Sequence, residues 1–252
     1  MGKKVLITGM SGLIGGALRR QMEGAYDLSA LNRSEVQGVP CHRADISDLE
    51  AIQLAFEGVH TVVHLAAKVA SKGKAWDDIL QFNVIGTYNV FEAARRAGVK
   101  RVVYASSGAT IATYEKLEPY KALAEGRYDD LKNGWENLTH ESPVRPGNLY
   151  GSSKVWGEAL ARTYCESFGM SMICLRIGAV NSGDKPESPR QFSVWSSQGD
   201  IARLLQACVD APDELKFDIF YGVSNNKWSY RDMTHVKDVL GFEPQDAAEE
   251  HR

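Results

Sequence analysis

The chain has 252 residues, 44% hydrophobic and 24% charged, with 29 Lys and Arg against 32 Asp and Glu and a formal net charge of −3. A chain of this length buries roughly 75% of its extended surface on folding and needs no covalent staples. The near-balanced charge excludes nucleic acid as an expected partner, and no apolar run approaches the ~18 residues of a membrane span.

In chain order, short β-branched runs alternate with helical segments, the pattern of parallel βαβ units. Lys4–Thr8 is a strand, followed by a glycine turn and a helix through Met22. Leu28–Leu31 reads as the second strand and Val39–Cys41 as a short third. A helix near Leu49–Phe56 leads to the strand Thr61–Leu65, and a long helix over 76–97 to the strand Arg101–Ala105. Residues 112–146 break the alternation, mixing acids with Tyr114, Tyr120, Tyr128 and Trp135. Structureless loops of that length are uncommon, so either a short helix or two covers the sheet's carboxyl edge or the segment is a surface insertion. Alternation resumes with a helix over 148–168, the strand Met172–Arg176, a helix over 199–210, the strand Phe217–Tyr221 and a helix near Ser229–Leu240. Asp246–Arg252 reads as a solvated tail.

The expected fold is α/β, a Rossmann-type doubly wound parallel sheet with a small C-terminal substrate-binding region. One domain spans 1–252, with 1–176 mainly the dinucleotide-binding core and 177–252 the substrate side. Cys41, Cys165, Cys174 and Cys208 are scattered without metal or disulfide spacing, and the histidines form no ligand-spaced pair, so no metal is expected. No signal-like segment opens the chain, and a cytoplasmic location is expected.

Gly9-Met-Ser-Gly12-Leu-Ile-Gly15 follows a strand and opens a helix, the context a dinucleotide loop requires. Its glycines let backbone approach a pyrophosphate, and the helix amides supply positive partial charge. Asp45 ends the third strand, where it either meets an adenine amino group or caps the helix begun at Ser47-Asp48. An acid at the end of the second strand would repel a 2′-phosphate, but Asn32-Arg33-Ser34 stands there. If Arg33 pairs with that phosphate, NADP is the preferred cofactor and NAD the second; otherwise Arg33 is a solvated loop charge.

Tyr150-Gly-Ser-Ser-Lys154 puts a phenol and an ammonium on one helix face. A nearby cation favours the phenolate, lowering the tyrosine pKa from about 10 toward the operating pH. Such a tyrosine takes a proton from an alcohol as hydride leaves its carbon, or returns it in reduction. A serine opposite would hold the same oxygen. Tyr128 and Lys132 share the spacing, but Tyr150 opens a well-patterned helix whereas Tyr128 lies in a polar segment.

The ordered motifs "TGMSGLIG", "HLAA", "NVIGTYNVFEAA", "YASSGAT", "LYGSSK" and "LRIGA" resemble the extended short-chain dehydrogenase/reductase superfamily (the NAD-dependent epimerase/dehydratase family) over the whole chain. The resemblance implies Ser107, rather than Ser106, as the catalytic partner of Tyr150 and Lys154. Asn83 matches an asparagine that supports the lysine through the hydrogen-bond network; the alternative is a helix residue bonded to neighbouring backbone. The implied cofactor lining begins with Gly9, Ser11, Gly12, Leu13, Ile14 and Gly15, then Asn32 and Arg33, then Asp45 and Ile46. It continues through Leu65, Ala66, Ala67 and Lys68 to Asn83, Tyr150, Lys154 and Ile177. Pairing of the helices 76–97 and 148–168 implies a homodimer.

Farther along, "RPGNLYGSSKVWGEALARTY", "PRQFSVWSSQGDIARLLQACVDAP" and "YGVSNN" are similar to uronate dehydrogenases and related sugar 1-dehydrogenases. Those enzymes oxidise a hemiacetal carbon to a lactone with a nicotinamide cofactor. The region after Arg176 is small for an epimerase or dehydratase, which implies a small substrate. Arg190 matches the arginine that binds the substrate carboxylate, unless it pairs with an acid of the insertion. Other substrate positions depart: Gly108-Ala109 replaces Asn-His after the serine, and Val69 and Ala179 replace serines. These changes imply fewer hydroxyl contacts or a bulkier, less polar substrate. Three functions compete: a small-molecule dehydrogenase, an epimerase or dehydratase that retains its cofactor, and a non-catalytic redox sensor, which the intact Tyr150–Lys154 pair disfavours.

Overall fold

Strands covered by helices on both sides must be apolar on both faces, and the central strands of the computed structural model, which describes residues 2–69 and 75–252, are buried along nearly their whole length. The chain runs β1 (Lys4–Thr8), α1 (Leu13–Met22), β2 (Asp27–Asn32), β3 (Cys41–Arg43), α2 (Leu49–Ile52) and β4 (Thr61–His64). Then follow α3 (Ala75–Asp78), a π-helical segment (Ile79–Ile85), α4 (Gly86–Arg96), β5 (Arg101–Ser107), α5 (Tyr120–Glu125), α6 (Leu149–Phe168) and β6 (Ser171–Ile177). The chain ends with α7 (Gln191–Val194), α8 (Gln198–Asp210), β7 (Phe217–Gly222) and α9 (Thr234–Leu240).

The seven strands form one parallel sheet in the order β3-β2-β1-β4-β5-β6-β7. Val5, Ile7, Val103 and Ile173 pack on one face against α1, α8 and α9. Leu6, Val62, Val102 and Met172 pack on the other against α2, α4 and α6. The strand order reverses between β1 and β4, so a crevice opens past their carboxyl ends, where such sheets bind ligands.

Four details differ from the sequence reading. β3 lies two residues later, where Cys41 pairs with Ala30. β5 runs on through both serines, pairing Ser106 with Arg176 and Ser107 with Ile177. The last helix starts at Thr234 instead of Ser229, because Leu138 N donates to Tyr230 O (2.7 Å) and Leu138 pairs with Arg231. The tail is docked rather than solvated: Ala248 is fully buried, Asp246 accepts from Ser197 Oγ (2.5 Å), and Arg252 lies over Phe192.

The segment 112–146 is ordered by a core of its own. The 3₁₀ turns Gly108–Lys116 and Tyr128–Leu131 flank α5. Ile111, Leu123, Leu131 and Leu138 pack with Val194, Tyr221 and Tyr230 from the C-terminal region. Among the described residues no helix is long and apolar enough to cross a membrane.

Candidate active site

The crevice is a cleft of about 660 Å3 that continues into a second space of about 390 Å3, the two sharing Gly9, Gly12, Leu65 and Ala67. Close packing at its floor depends on glycine: a Cβ at Gly15 would lie 2.5 Å from Gly9 O and 2.6 Å from Met10 Cα. That clearance lets the α1 N-terminus sit against β1 with its amides turned to the cleft. Ser11, Asn32, Arg33, Asp45, Ile46, Ala66 and Lys68 line the larger space. Asn32 Nδ2 donates to Ser11 Oγ (2.9 Å) and Ser34 O (3.1 Å), tying the end of β2 to the glycine loop. Asp45 accepts from Ser47 N (2.9 Å), while the cap of α2 is Asp48, which accepts from Ala51 N. The capping role thus passes to Asp48, and Asp45 remains a wall of the cleft. Phe82, under the Arg33 guanidinium at 5.4 Å, is a lining residue that only the π-helical segment brings there; no sequence motif marked it.

The smaller space holds Leu13, Ile14, Val69, Ser107, Tyr150, Lys154, Ile177 and Ala179. β5 delivers Ser107, and α6, capped by Asn148 (2.8 Å to Gly151 N), delivers Tyr150 and Lys154 one turn apart. Ser107 Oγ accepts from Ala109 N (3.1 Å), which leaves its own hydrogen to donate. Lys154 Nζ donates to Ala105 O (2.7 Å) and stands 5.6 Å from the Tyr150 ring centroid.

The electrostatics correct one expectation. Burial pushes the Tyr150 phenol up from its ordinary value, and the Ser107 hydrogen bond only partly offsets this. Lys154 is itself buried, which pulls its ammonium down to about 7, against the opposing charge of Glu158 on the next turn. The cation expected to lower the tyrosine is therefore weakened by the same burial.

Asn83 joins the loop after β4 to the turn of α6 that carries Lys154. Its side chain accepts from Lys68 N (2.8 Å) and donates to Lys68 O (3.0 Å) and Ser153 Oγ (3.2 Å). It clamps the loop after β4 to α6 from a π-helical segment of the kind often found at functional sites.

Ser106 also borders the smaller space, but its hydroxyl donates to Glu158 (2.6 Å), which takes Arg176 bidentately at 2.9 Å. Arg190 pairs with an acid of the insertion. Its Nε and Nη2 donate to Glu115 at 2.6 and 2.8 Å, and Tyr230 adds a third bond to the same carboxylate (2.6 Å). Burial alone would raise the Glu115 carboxyl, but Arg190 brings it below the usual range. Gly108 and Arg190, both expected at the substrate, line neither space. Elsewhere His140, Asp218 and His235 converge to within 4.8 Å, a grouping their sequence separation hid. The two imidazoles stack at 3.9 Å and His235 bonds Asp218 (2.8 Å), so the ring lone pairs do not converge on one point.

The NAD dependent epimerase/dehydratase family model matches residues 5–241. The chain is 32% identical to a NAD-dependent glucose-6-phosphate dehydrogenase of Haloferax volcanii, over 99% of this chain and 96% of that one. It is 31% identical to an L-arabinose 1-dehydrogenase (NAD(P)(+)) of the same organism, over 96% of each. A uronate dehydrogenase of Agrobacterium tumefaciens, solved as a variant complexed with NAD, superposes with TM-score 0.83 at 32% identity, over 100% of this chain and 88% of that one.

Proposed function

The chain belongs to the NAD dependent epimerase/dehydratase family, and from that premise we propose that Ser107, Tyr150 and Lys154 are the catalytic set of a NAD(P)-dependent sugar dehydrogenase. It is an oxidoreductase that moves hydride between the nicotinamide and a small hydroxyl or carbonyl substrate. The observation that carries the residue assignment is the meeting of these three side chains at one end of the dinucleotide cleft. The bound nicotinamide supplies the hydride acceptor in oxidation and the donor in reduction. Ser107 redirects its hydrogen from Tyr150 to the substrate oxygen and holds that oxygen beside the phenol. Tyr150 takes the proton from that oxygen in oxidation and returns it in reduction. Lys154, anchored on Ala105 O, places positive charge beside the phenol, and Glu158 helps it keep that charge.

NADP is the preferred cofactor in this reading, with NAD second. Support comes from the neutral Asn32 at the end of β2 and from the exposed Arg33 beside the cleft. A cytoplasmic location accords with four free cysteines, and a homodimer with the large side chains Ile85, Tyr88 and Phe168 left exposed on the two long helical stretches.

Tyr150→Phe should lower kcat about 10²- to 10⁴-fold with the preferred sugar, while dinucleotide affinity, read by fluorescence titration, stays near that of the wild type. Wild-type turnover in this variant sinks the assignment.

A further inference from the structure

Two arginines lie near Ser107 outside both spaces of the cleft, Arg231 bordering a separate opening of about 640 Å3 with Trp135, Asn137 and Ser229, and they differ in whether their charge is already met. Arg190 gives two donors to Glu115, and both carboxylate oxygens are thereby engaged. Arg231 is 2% exposed, and its Nε and Nη1 are buried with no hydrogen-bond partner among the described residues. Glu115 acts on Arg231 only through space.

The position of Arg231 is as informative as its lack of partners. A Cβ at Gly108, the residue after Ser107, would fall 2.6 Å from Arg231 Cζ and 3.0 Å from Nη1. Nη2 is closer still, so the terminal fork of the guanidinium faces the Ser107–Gly108 backbone. A side chain at 108 would displace it. This accounts for the smallness of residue 108: the room beside the catalytic serine is filled from a distant segment.

A buried guanidinium without acceptors is costly, and the cost is recovered when an acceptor arrives. The Nη1/Nη2 fork matches the paired oxygens of a carboxylate or phosphate. With Arg190 and Glu115 cancelling, Arg231 is the unmatched charge beside Gly108. Resting on the dehydrogenase reading above, we propose that Arg231, and not Arg190, recognises an anionic oxygen group of the substrate. That group is the carboxylate of a sugar acid or the phosphate of a sugar phosphate.

The test is steady-state kinetics of the full chain and of Arg231→Leu, Arg231→Lys, Gly108→Ala and Arg190→Leu. The sugars are D-glucuronate, D-glucose 6-phosphate and neutral D-glucose, each with NAD and NADP, and folding is checked by thermal melts. The wild type should favour one of the two anions over glucose, and which one separates carboxylate from phosphate. Arg231→Leu should lower kcat/KM for that anion about 10- to 100-fold more than for glucose, mainly through KM. Arg231→Lys should recover part of the loss, and Arg190→Leu should leave the anion-to-glucose ratio near the wild-type value. If Arg231→Leu does not fold, Gly108→Ala carries the test, because its Cβ pushes the fork aside and should erase the same preference. Equal loss on all three sugars, a wild type that prefers glucose, or a preference erased by Arg190→Leu instead overturns the proposal. If no sugar turns over, the dehydrogenase reading fails separately. Calorimetric titration of glucuronate and glucose 6-phosphate into wild type and Arg231→Lys then decides: anion binding weakened by the substitution supports Arg231, and no binding by the wild type overturns it.

Discussion

The dinucleotide end of the cleft is assembled from backbone in loops that each follow one strand, at Gly9–Gly15, Asn32–Ser34 and Leu65–Lys68. The region beyond Ser107 is assembled from side chains that meet only after folding: Glu115 from the insertion, Arg190 before α7, and Tyr230 and Arg231 before α9. The first is held by close approach, the second by buried charge matched or unmatched across long sequence distances. Glycine contacts tolerate no added atom but carry little electrostatic energy. A buried ion pair is costly to form, and breaking it by removing one partner is more costly still.

This contrast makes predictions of graded size. The largest is at Glu158, which accepts from Ser106 and Arg176 beneath Ser107. Glu158→Gln leaves the Arg176 guanidinium buried without its counter-charge and should cost about 3–5 kcal/mol of stability, read from urea denaturation. Gly15→Ala should cost less, about 1–3 kcal/mol, because backbone at Gly9 and Met10 must shift to admit one methyl group. It should also weaken dinucleotide binding in the same titration used for Tyr150→Phe. Should Gly15→Ala prove the more destabilising, the division between a sterically built end and an electrostatically built end breaks down.

A further prediction is a pH dependence at Lys154. Its folded pKa of about 7 lies below the 10.5 of an ordinary lysine. Below 7 both folded and unfolded chains carry the proton, and the folded chain bears the full cost of a buried ammonium. Between those values the unfolded chain keeps a proton that the folded chain has released, so the cost is relieved as pH rises. Lys154→Met should therefore raise the melting temperature at pH 6, by roughly 2–4 °C per kcal/mol relieved, with the gain shrinking above pH 7. A gain constant from pH 6 to 9 contradicts this.

Much of the dinucleotide end was legible because its signals are local. The glycine spacing, the alternating strands and the Tyr150–Lys154 turn each lie within a few residues and follow the periods of strand and helix. Even there, one side-chain role shifted: Asp48, not Asp45, caps α2. The insertion was recognisable as an interruption, but its core is shared with Val194, Tyr221 and Tyr230, which nothing nearby in sequence announces. The docked tail was hidden for the same reason, since Ala248 is buried against partners well upstream.

By itself the sequence determined the parallel sheet, the glycine loop and the Tyr150–Lys154 turn, because each is written in short-range periodicity or spacing, whereas Ser107 was singled out by the family resemblance. Only the tertiary structure decided which arginine keeps an unmatched charge. The pairing of Arg190 with Glu115, and the lodging of Arg231 over Gly108, depend on which distant segments come within hydrogen-bonding distance. Burial, which sets the worth of each charge, exists only in the folded chain.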